Sequence, residues 1–546
     1  MCGTWAVLMK NPTLTNKYLN LFNNVKNRGP DNSYIHVDKN YIIGFHRLSI
    51  NDLSIFGNQP FFYSDKIYNY ILIINGEIYN YKDLIKIYDL DIQSNSDCAV
   101  ILPLFIKINQ DFKLLNNLLR GEYSMLLIKQ NISDLKIEYF ISTDPLSVRP
   151  IFYFISLDFR IGISSILNGL NTLSNNIIRL DQGTYLYGMT NFESYNDYTI
   201  INYHNYNLIP LNFYIDIDNL YNDIVKCLTE SISIRLNSDR PLGCLLSGGL
   251  DSSLVAAIAA KNLKEKGMKL KTFSIGMKDG SDLKYARMVS EYINSEHTEF
   301  IFTSDEGIDI IDNVIKATET YDITTIRASI AQFLLAKNIS EKTNIKVLLN
   351  GDGADECQMG YLYFYLSPNI EEAIKERNKL LKQIHYFDGL RVDRNLSYHG
   401  LEARVPFLDK NFVDLYLQIP GEYLIPTEKY MEKYLIRKAF STILPDLLPQ
   451  EVLWRRKEAF SDGVSSQEKS WFQILKNHFN NLISDEEYNN NNNFEYLKSI
   501  CKESYYYRKT FNQLFDDNHK IIPRFWLPNW SCNNDPSART LNIYNK

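Results

Sequence analysis

The chain has 546 residues, several times the length of a typical domain, so it divides into at least two cores. Its 45% hydrophobic and 22% charged residues lie near the globular norm, which excludes a disordered or collagen-like polymer. With 58 Lys+Arg against 64 Asp+Glu the net charge is −6, so no chain-wide basic field draws nucleic acid.

At the N-terminus, Met1-Cys2-Gly3-Thr4-Trp5 lacks the basic and apolar regions of a secretory signal. No apolar run approaches the roughly 18–20 residues of a membrane span. Seven cysteines, odd in number and without a CxxC pair, argue against a disulfide framework and a structural zinc site. A cytoplasmic protein is expected. Cys2 stands apart, because removal of Met1 would put a thiol and a free α-amine on one residue. An α-amine with a reference pKa of roughly 7.7–8.0 can serve as general base near neutral pH. Judged by position alone, a cysteine that merely begins a strand is the commoner case.

Strand-length apolar segments follow at residues 5–9, 41–45, 70–74, 123–128 and 137–142, with helical patterns at 14–25 and 97–109. The mixture predicts sheets covered by helices. Residues 187–215, rich in Tyr, Asn and Asp without periodicity, read as a linker and place a boundary near 205. Beyond it, strands and helices alternate. A strand at 242–246 meets Ser247-Gly248-Gly249-Leu250-Asp251-Ser252-Ser253, and the next helix puts Leu250, Leu254, Val255 and Ile258 on one face. Strands at 271–275, 298–302 and 346–349 and a helix at 282–293 complete the pattern of a doubly wound parallel sheet, whose ligands sit at the carboxyl ends of strands. The Asn489–Asn493 tract reads as a solvated loop tip, and Tyr505–Tyr507 as helix packing.

A strand, a Ser-Gly-Gly turn and a helix make a phosphate site, since the helix N-terminus offers free N–H groups and the glycines admit phosphate oxygens. The lysine of a G-x-x-x-x-G-K-[ST] loop is absent, so this is no Walker-type site.

Five motifs in the first half occur in order: Met1-Cys2-Gly3, Arg28-Gly29-Pro30-Asp31, Arg47-Leu48-Ser49-Ile50, Asn75-Gly76-Glu77-Ile78-Tyr79-Asn80 and Ser96-Asp97-Cys98. Together they resemble the glutaminase domain of the N-terminal-nucleophile amidotransferases. The resemblance implies an αββα sandwich in which Cys2 attacks the side-chain amide of glutamine. The Asn75 amide and the Gly76 N–H would hold the oxyanion. Arg47 would meet the carboxylate of glutamine through its bidentate fork, Glu77 and Asp97 its ammonium, and the backbone of Leu48 and Ile50 would complete the pocket. Taken singly, Arg47 and Asp97 read more readily as a surface ion pair, and Asn75-Gly76 as a hairpin turn. Asn27, and Thr143-Asp144-Pro145-Leu146-Ser147, depart from the family pattern and put loop closure in question.

Three stretches in the second half, Glu319–Ser329, Gly400–Asp409 and Trp454–Gly463, are similar to the glutamine-hydrolysing asparagine synthetases, a resemblance that spans about residues 1–465. It implies a multidomain α/β chain, with a glutaminase domain over 1–205 and a doubly wound parallel α/β domain of the ATP pyrophosphatase kind over 206–546. Ser247, Gly248, Gly249, Asp251 and Ser252 would hold pyrophosphate and Mg²⁺, Leu245 and Ile275 adenosine, Asn350 and Gly351 the ATP site, and Lys457 the phosphates. Arg327 and Asp355 are candidates for the aspartate and metal–phosphate region, so Asp251 and Asp355 would face the metal.

The implied reaction makes asparagine from aspartate, ATP and glutamine-derived ammonia by way of β-aspartyl-AMP. Asp352, a catalytic candidate, stands where the family has Glu, and Asn350 where it has Ser. Loss of one methylene shortens the reach by roughly 1.5 Å, a misplacement that can cost about 100-fold in rate. Two alternatives stay open: activation of a different carboxylate, or a regulatory homologue with impaired turnover. The expected partners are small substrates alone, without nucleic acid or membrane, and a homodimer is one assembly the sequence allows.

Overall fold

A computed structural model describes residues 1–193, 197–204, 206, 216–278, 280–458, 460–465, 470–531 and 537. The first domain holds β1 (Gly3–Leu8), β2 (Asn32–Val37), β3 (Tyr41–Arg47), β4 (Phe61–Ser64), β5 (Tyr68–Ile78), β6 (Gly121–Asn131), β7 (Ile137–Thr143), β8 (Phe152–Ile155), β9 (Ile161–Ser164), β10 (Ile178–Arg179), β11 (Thr184–Thr190) and β12 (Tyr198–Asn202). They form two six-stranded sheets, ordered β10-β8-β9-β1-β3-β2 and β12-β11-β7-β6-β5-β4. The two-residue period of a strand sends alternate side chains to opposite faces. Ala6, Leu8, Ile43 and Phe45 of one sheet therefore meet Ile71, Ile73, Leu126 and Ile128 of the other in a shared core.

On the outer faces, Trp5 and Val7 pack on Leu21 and Phe22 of the helix Asn16–Asn23. Tyr70, Leu72 and Leu127 pack on Leu84, Leu104 and Phe112 of helices from residue 81 to 118. The result is an αββα sandwich.

The second domain carries β13 (Leu242–Leu245), β14 (Lys271–Gly276), β15 (Glu296–Ile301), β16 (Val347–Leu349) and β17 (Glu402–Arg404) in a parallel sheet ordered β15-β14-β13-β16-β17. Strand order reverses at β13, so the loops after β13 and β16 diverge from adjacent carboxyl ends and leave a crevice between them. The helix Leu250–Glu265 is buried along most of its length, with Leu254, Val255, Ala256 and Ala259 at 0% exposure.

Three sequence expectations change. Residues 187–215 are not all linker: β11 and β12 lie largely within them, and β11 pairs with β7 from Tyr185↔Ser142 to Thr190↔Ile137. The Tyr- and Asn-rich composition hid strand residues such as Gly188 and Thr190, which are buried on β11; residues 194–196, 205 and 207–215 lie outside the described part. The helix expected at 97–109 is split into a tight turn, Asp97–Val100, and a short helix, Ile101–Lys107. The Asn tract is no loop tip either. Its first residues end the helix Asp485–Asn491, and the buried Asn492 side chain donates to Ser499 O and accepts from Ser499 N at 2.9 and 3.2 Å. Tyr505 and Tyr507 are buried on the helix Lys502–Phe515, as helix packing requires. Among the described residues, no helix is long and apolar enough to cross a membrane.

The two domains meet through buried charge. Arg28 pairs with Asp393 at 2.8 Å, and Arg235 with both Glu122 and Asp409 at 2.8 Å. Arg120 reaches Asp409 at 2.9 Å, and Arg404 reaches Glu77 at 3.2 Å and Glu402 at 2.9 Å. Glu122 also holds Arg149 at 2.9 Å and accepts the Val405 N–H at 3.1 Å.

Glu122→Ala takes one of two carboxylate partners from each of two buried guanidinium groups, Arg149 and Arg235, an expected cost of about 3–5 kcal/mol. The thermal unfolding midpoint should fall clearly, whereas Lys10→Ala, which breaks an exposed pair with Glu193, should change stability by less than about 1 kcal/mol. Stability should also fall on acidification. Burial holds His46 and His399 down to about 4, whereas an unfolded histidine titrates near about 6.5. Between those values the unfolded chain binds the extra protons, so stability present above pH 6.5 is lost towards pH 4. A series of melting midpoints across that window should slope downward, and His399→Gln should flatten the slope.

Candidate functional site

Two clusters gather the chemistry-bearing residues. In the first, Cys2 stands just ahead of β1, and its N–H donates to Asn75 Oδ1 at 2.7 Å while its thiol lies 3.6 Å from the Leu48 carbonyl. Asn75 and Gly76 belong to β5 and not to a turn. A Cβ on Gly76 would fall 2.2 Å from the Glu122 carbonyl of β6, so close backbone approach demands glycine there. Arg47 closes β3, and its guanidinium is fixed by the 51–58 loop: Nη1 donates to Ser54 O at 2.7 Å and Asn58 Oδ1 at 2.8 Å, and Nη2 to Asp52 O. It is thus no surface ion pair with Asp97.

Asp97 accepts the Ile78 N–H at 2.5 Å and Glu77 accepts the Asn51 amide at 2.5 Å. Burial raises both carboxyls, and the charge of Asp97 raises Glu77 further. Two adjoining buried carboxyls favour a cation such as an ammonium. Leu48 and Ile50 are buried beside Val347, with the Ile50 carbonyl taken by Asp239 N–H at 3.1 Å. In the chain that begins at Met1, the Cys2 nitrogen is a peptide amide, and the terminal ammonium instead meets Glu402 at 3.1 Å. The loop at 144–149 is closed by Asp144, which accepts N–H bonds from Leu146, Val148 and Arg149 at 2.9–3.1 Å.

The second cluster lines a cavity at the carboxyl ends of β13, β14 and β16. Leu245, Ser247, Gly249, Asp251, Ser252, Ile275, Asn350, Gly351, Asp352, Asp355 and Lys457 all face it. Ser247 and Ser252 hydroxyls meet at 3.0 Å across the glycine turn, and the helix Leu250–Glu265 points its N-terminus inward. Gly248 adopts a left-handed φ of 73°, with its carbonyl held by Arg455 at 3.1 Å, and shapes the turn from outside the cavity lining. Arg327 also lies off the cavity. Its guanidinium is turned to the buried Glu503, at 2.7–2.8 Å.

Charge in the cavity is closely matched. Asp355 takes Lys457 at 2.5 Å and Lys433 at 2.6 Å, and these ammonium groups hold its carboxyl well below the usual range. Asp352 pairs with Arg391, which also binds Asp388 at 2.9 Å. The Asp352 N–H donates to Asn350 Oδ1 at 3.0 Å. Burial still leaves Asp352 raised. Glu356, buried and near the charge of Asp388, is raised well above a normal carboxyl and accepts the Tyr361 hydroxyl at 2.5 Å.

Lys433, Arg391, Asp388, Glu356 and Tyr361 escaped the sequence reading, because the folded chain brings them in from segments without a phosphate motif. Only Glu356, beside Asn350-Gly351-Asp352-Gly353, carried a local signal. Asp251 Oδ1 is buried without a hydrogen-bond partner. With Asp355 it suits Mg²⁺, which is held by one or two carboxylates plus substrate phosphates.

The model of the asparagine synthase family matches residues 223–380 and 371–540, and that of the glutamine amidotransferase domain matches residues 1–211. The chain is 38% identical to asparagine synthetase [glutamine-hydrolyzing] of Gallus gallus, over 100% of this chain and 99% of that one. The protein of the same name from Homo sapiens is 37% identical over the same shares, and that from Rattus norvegicus 38%. The chain belongs to the glutamine-hydrolysing asparagine synthetase family. Within that family's two-domain frame, the first cluster lies in the amidotransferase part and the second in the synthase part.

Arg391→Met removes the counter-cation of two half-buried carboxylates, Asp352 and Asp388. The expected result is a loss of up to about 3–5 kcal/mol, seen as a lowered melting midpoint that recovers in part on acidification as Asp352, already raised by burial, takes up a proton.

Proposed function

We propose that the chain is an ATP- and glutamine-dependent asparagine synthetase, a carbon–nitrogen ligase, with glutamine hydrolysis in residues 1–205 and synthesis in 206–546. After loss of Met1, the Cys2 amine takes the thiol proton and the thiolate attacks the glutamine amide. The oxyanion is held by Asn75 and the Gly76 N–H, ammonia leaves, and water frees glutamate from the thioester. Arg47 binds the α-carboxylate of glutamine, and Glu77 with Asp97 its ammonium.

In the second domain the β-carboxylate of aspartate attacks the α-phosphorus of ATP and pyrophosphate departs. Ammonia then adds to the acyl carbon and AMP leaves, giving asparagine. Leu245 and Ile275 face the adenosine, and the Ser247–Ser252 turn and Lys457 hold the phosphates. Mg²⁺ held by Asp251 and Asp355 would neutralise charge on the departing pyrophosphate. Asp352 would act beside the acyl carbon, with Arg391 fixing its position. The enzyme is placed in the cytoplasm, with light scattering to establish whether it is a homodimer.

One observation carries this reading: Arg404 joins the two clusters. Its guanidinium touches Glu77 at 3.2 Å, while its carbonyl accepts the Asn350 N–H at 2.9 Å. A glutaminase pocket and an adenylation cavity thus share a buried residue, which suits one site that makes ammonia and one that consumes it.

Purified protein with glutamine, aspartate and Mg-ATP should yield asparagine, AMP and pyrophosphate in equal amounts. Cys2→Ala should abolish synthesis from glutamine and keep synthesis from ammonia; loss of both in a folded protein would sink the division of labour. The shortened Asp352, tied to Arg391, favours a second reading in which a different carboxylate is activated. Pyrophosphate release across a panel of acids decides between them, with aspartate expected to be fastest. Asp352→Glu should change the synthesis rate while glutaminase turnover stays constant.

A further inference from the structure

Lys433 was not signalled by any motif, yet it occupies the centre of the second cluster. It precedes the helix Tyr434–Ile443 in a left-handed conformation, φ 58° and ψ 27°, and is 3% exposed. The aliphatic stem runs over Gly360, where a Cβ would lie 2.1 Å from Lys433 Cε, so the glycine makes room for it. At its tip, Nζ stands 2.5 Å from Asp251 Oδ2 and 2.6 Å from Asp355 Oδ1. Asp251 comes from the first turn of the helix after β13 and Asp355 from the first turn of the helix Ala354–Gln358 after β16, so one ammonium ties together the two connections that flank the crevice.

Lys457 plays a different part. It binds the other oxygen of Asp355, at 2.5 Å, and its side chain is 20% exposed against 1% for Lys433.

We infer that Lys433 is the resident cation of the pyrophosphate site, holding Asp251 and Asp355 together so that a divalent cation enters with the nucleotide rather than ahead of it. The inference deepens the synthetase reading and rests on it. Two carboxylates and two ammonium groups already balance one another here. A divalent cation arriving alone must either share Asp251 and Asp355 with a buried like charge or displace an ammonium from the carboxylates it pairs with. The phosphates of a nucleotide remove that obstacle, because they give the Lys433 ammonium new anionic partners while the metal takes the carboxylates. Cation and nucleotide binding are then positively linked. Lys433 is a positioning residue: it acts through the two carboxylates.

The test uses full-length protein and Mn²⁺, a paramagnetic stand-in for Mg²⁺ whose free and bound forms are counted by electron paramagnetic resonance without nucleotide. Wild type should bind Mn²⁺ weakly. Lys433→Met should bind it at least about tenfold more tightly, since the competing ammonium is gone, and Lys433→Arg should behave as wild type. Melting midpoint and glutaminase turnover report whether each variant is folded. A folded Lys433→Met that binds Mn²⁺ no better than wild type would overturn the inference. Should Lys433→Met fail to fold, wild type alone decides: one tight, stoichiometric Mn²⁺ without nucleotide overturns the inference, and weak binding supports it. No turnover is needed, so failure here is distinct from a failure to make asparagine.

Discussion

The molecule depends on a layer of charge buried between its two domains. Arg28–Asp393, Arg235–Glu122, Arg120–Asp409 and Arg404–Glu77 each cross the boundary, and most of these side chains are almost fully buried. Guanidinium groups removed from water are costly unless counter-charges and acceptors meet them, so the layer tolerates few relative placements of the domains. Arg404 shows how closely one is held. Its Nη1 donates to the carbonyls of Arg235 and Asn237 at 2.7 and 2.6 Å, and its Nε to Glu402 at 2.9 Å, before Glu77 is reached at all. A bidentate fork selects geometry where a point charge would only attract.

That constraint reaches both clusters. Glu77 lies on β5 one residue beyond Gly76, and Asn350 begins the loop after β16, next to β17 where Arg404 resides. A shift of the domain boundary would therefore move the carboxyl pair beside Cys2 and the loop that carries Asp352 together. The clusters also share an electrostatic pattern. Each places more than one carboxyl where burial opposes ionisation, then matches the charge with a neighbouring cation or leaves it for a ligand to match. Arg47, clasped by the carbonyls of its own loop, and Lys433, clasped by Asp251 and Asp355, are pre-oriented cations of this kind.

The departures from the family pattern acquire physical meaning in the fold. Asp144 closes its loop by accepting the backbone N–H groups of Leu146, Val148 and Arg149 on its carboxylate, which bears on the doubt raised by the segment from Thr143 to Ser147. Asp352 and Asn350 form a unit, since the Asn350 amide oxygen accepts the Asp352 N–H and the Asp352 carboxylate accepts from Arg391. The shorter acid is therefore held toward an arginine.

By itself, the sequence determined whatever is local and periodic. Apolar alternation marked the central strands of the first sheets, the strand–glycine–helix step marked the Ser247–Ser252 turn, and five short motifs marked the residues around Cys2. Local signals failed where composition masked pattern, as in the Tyr-rich β11 and β12, and where a turn signature such as Asn75-Gly76 lay inside a strand because β6 approaches too closely for any side chain. Tertiary structure alone decided the partners of charge. It turned Arg327 to Glu503, delivered Lys433 to Asp251 and Asp355, and tied Arg404 to both halves. Ion pairing between segments hundreds of residues apart leaves no periodic trace in the chain; it is fixed only when burial removes water and each buried charge must find its counterpart in space.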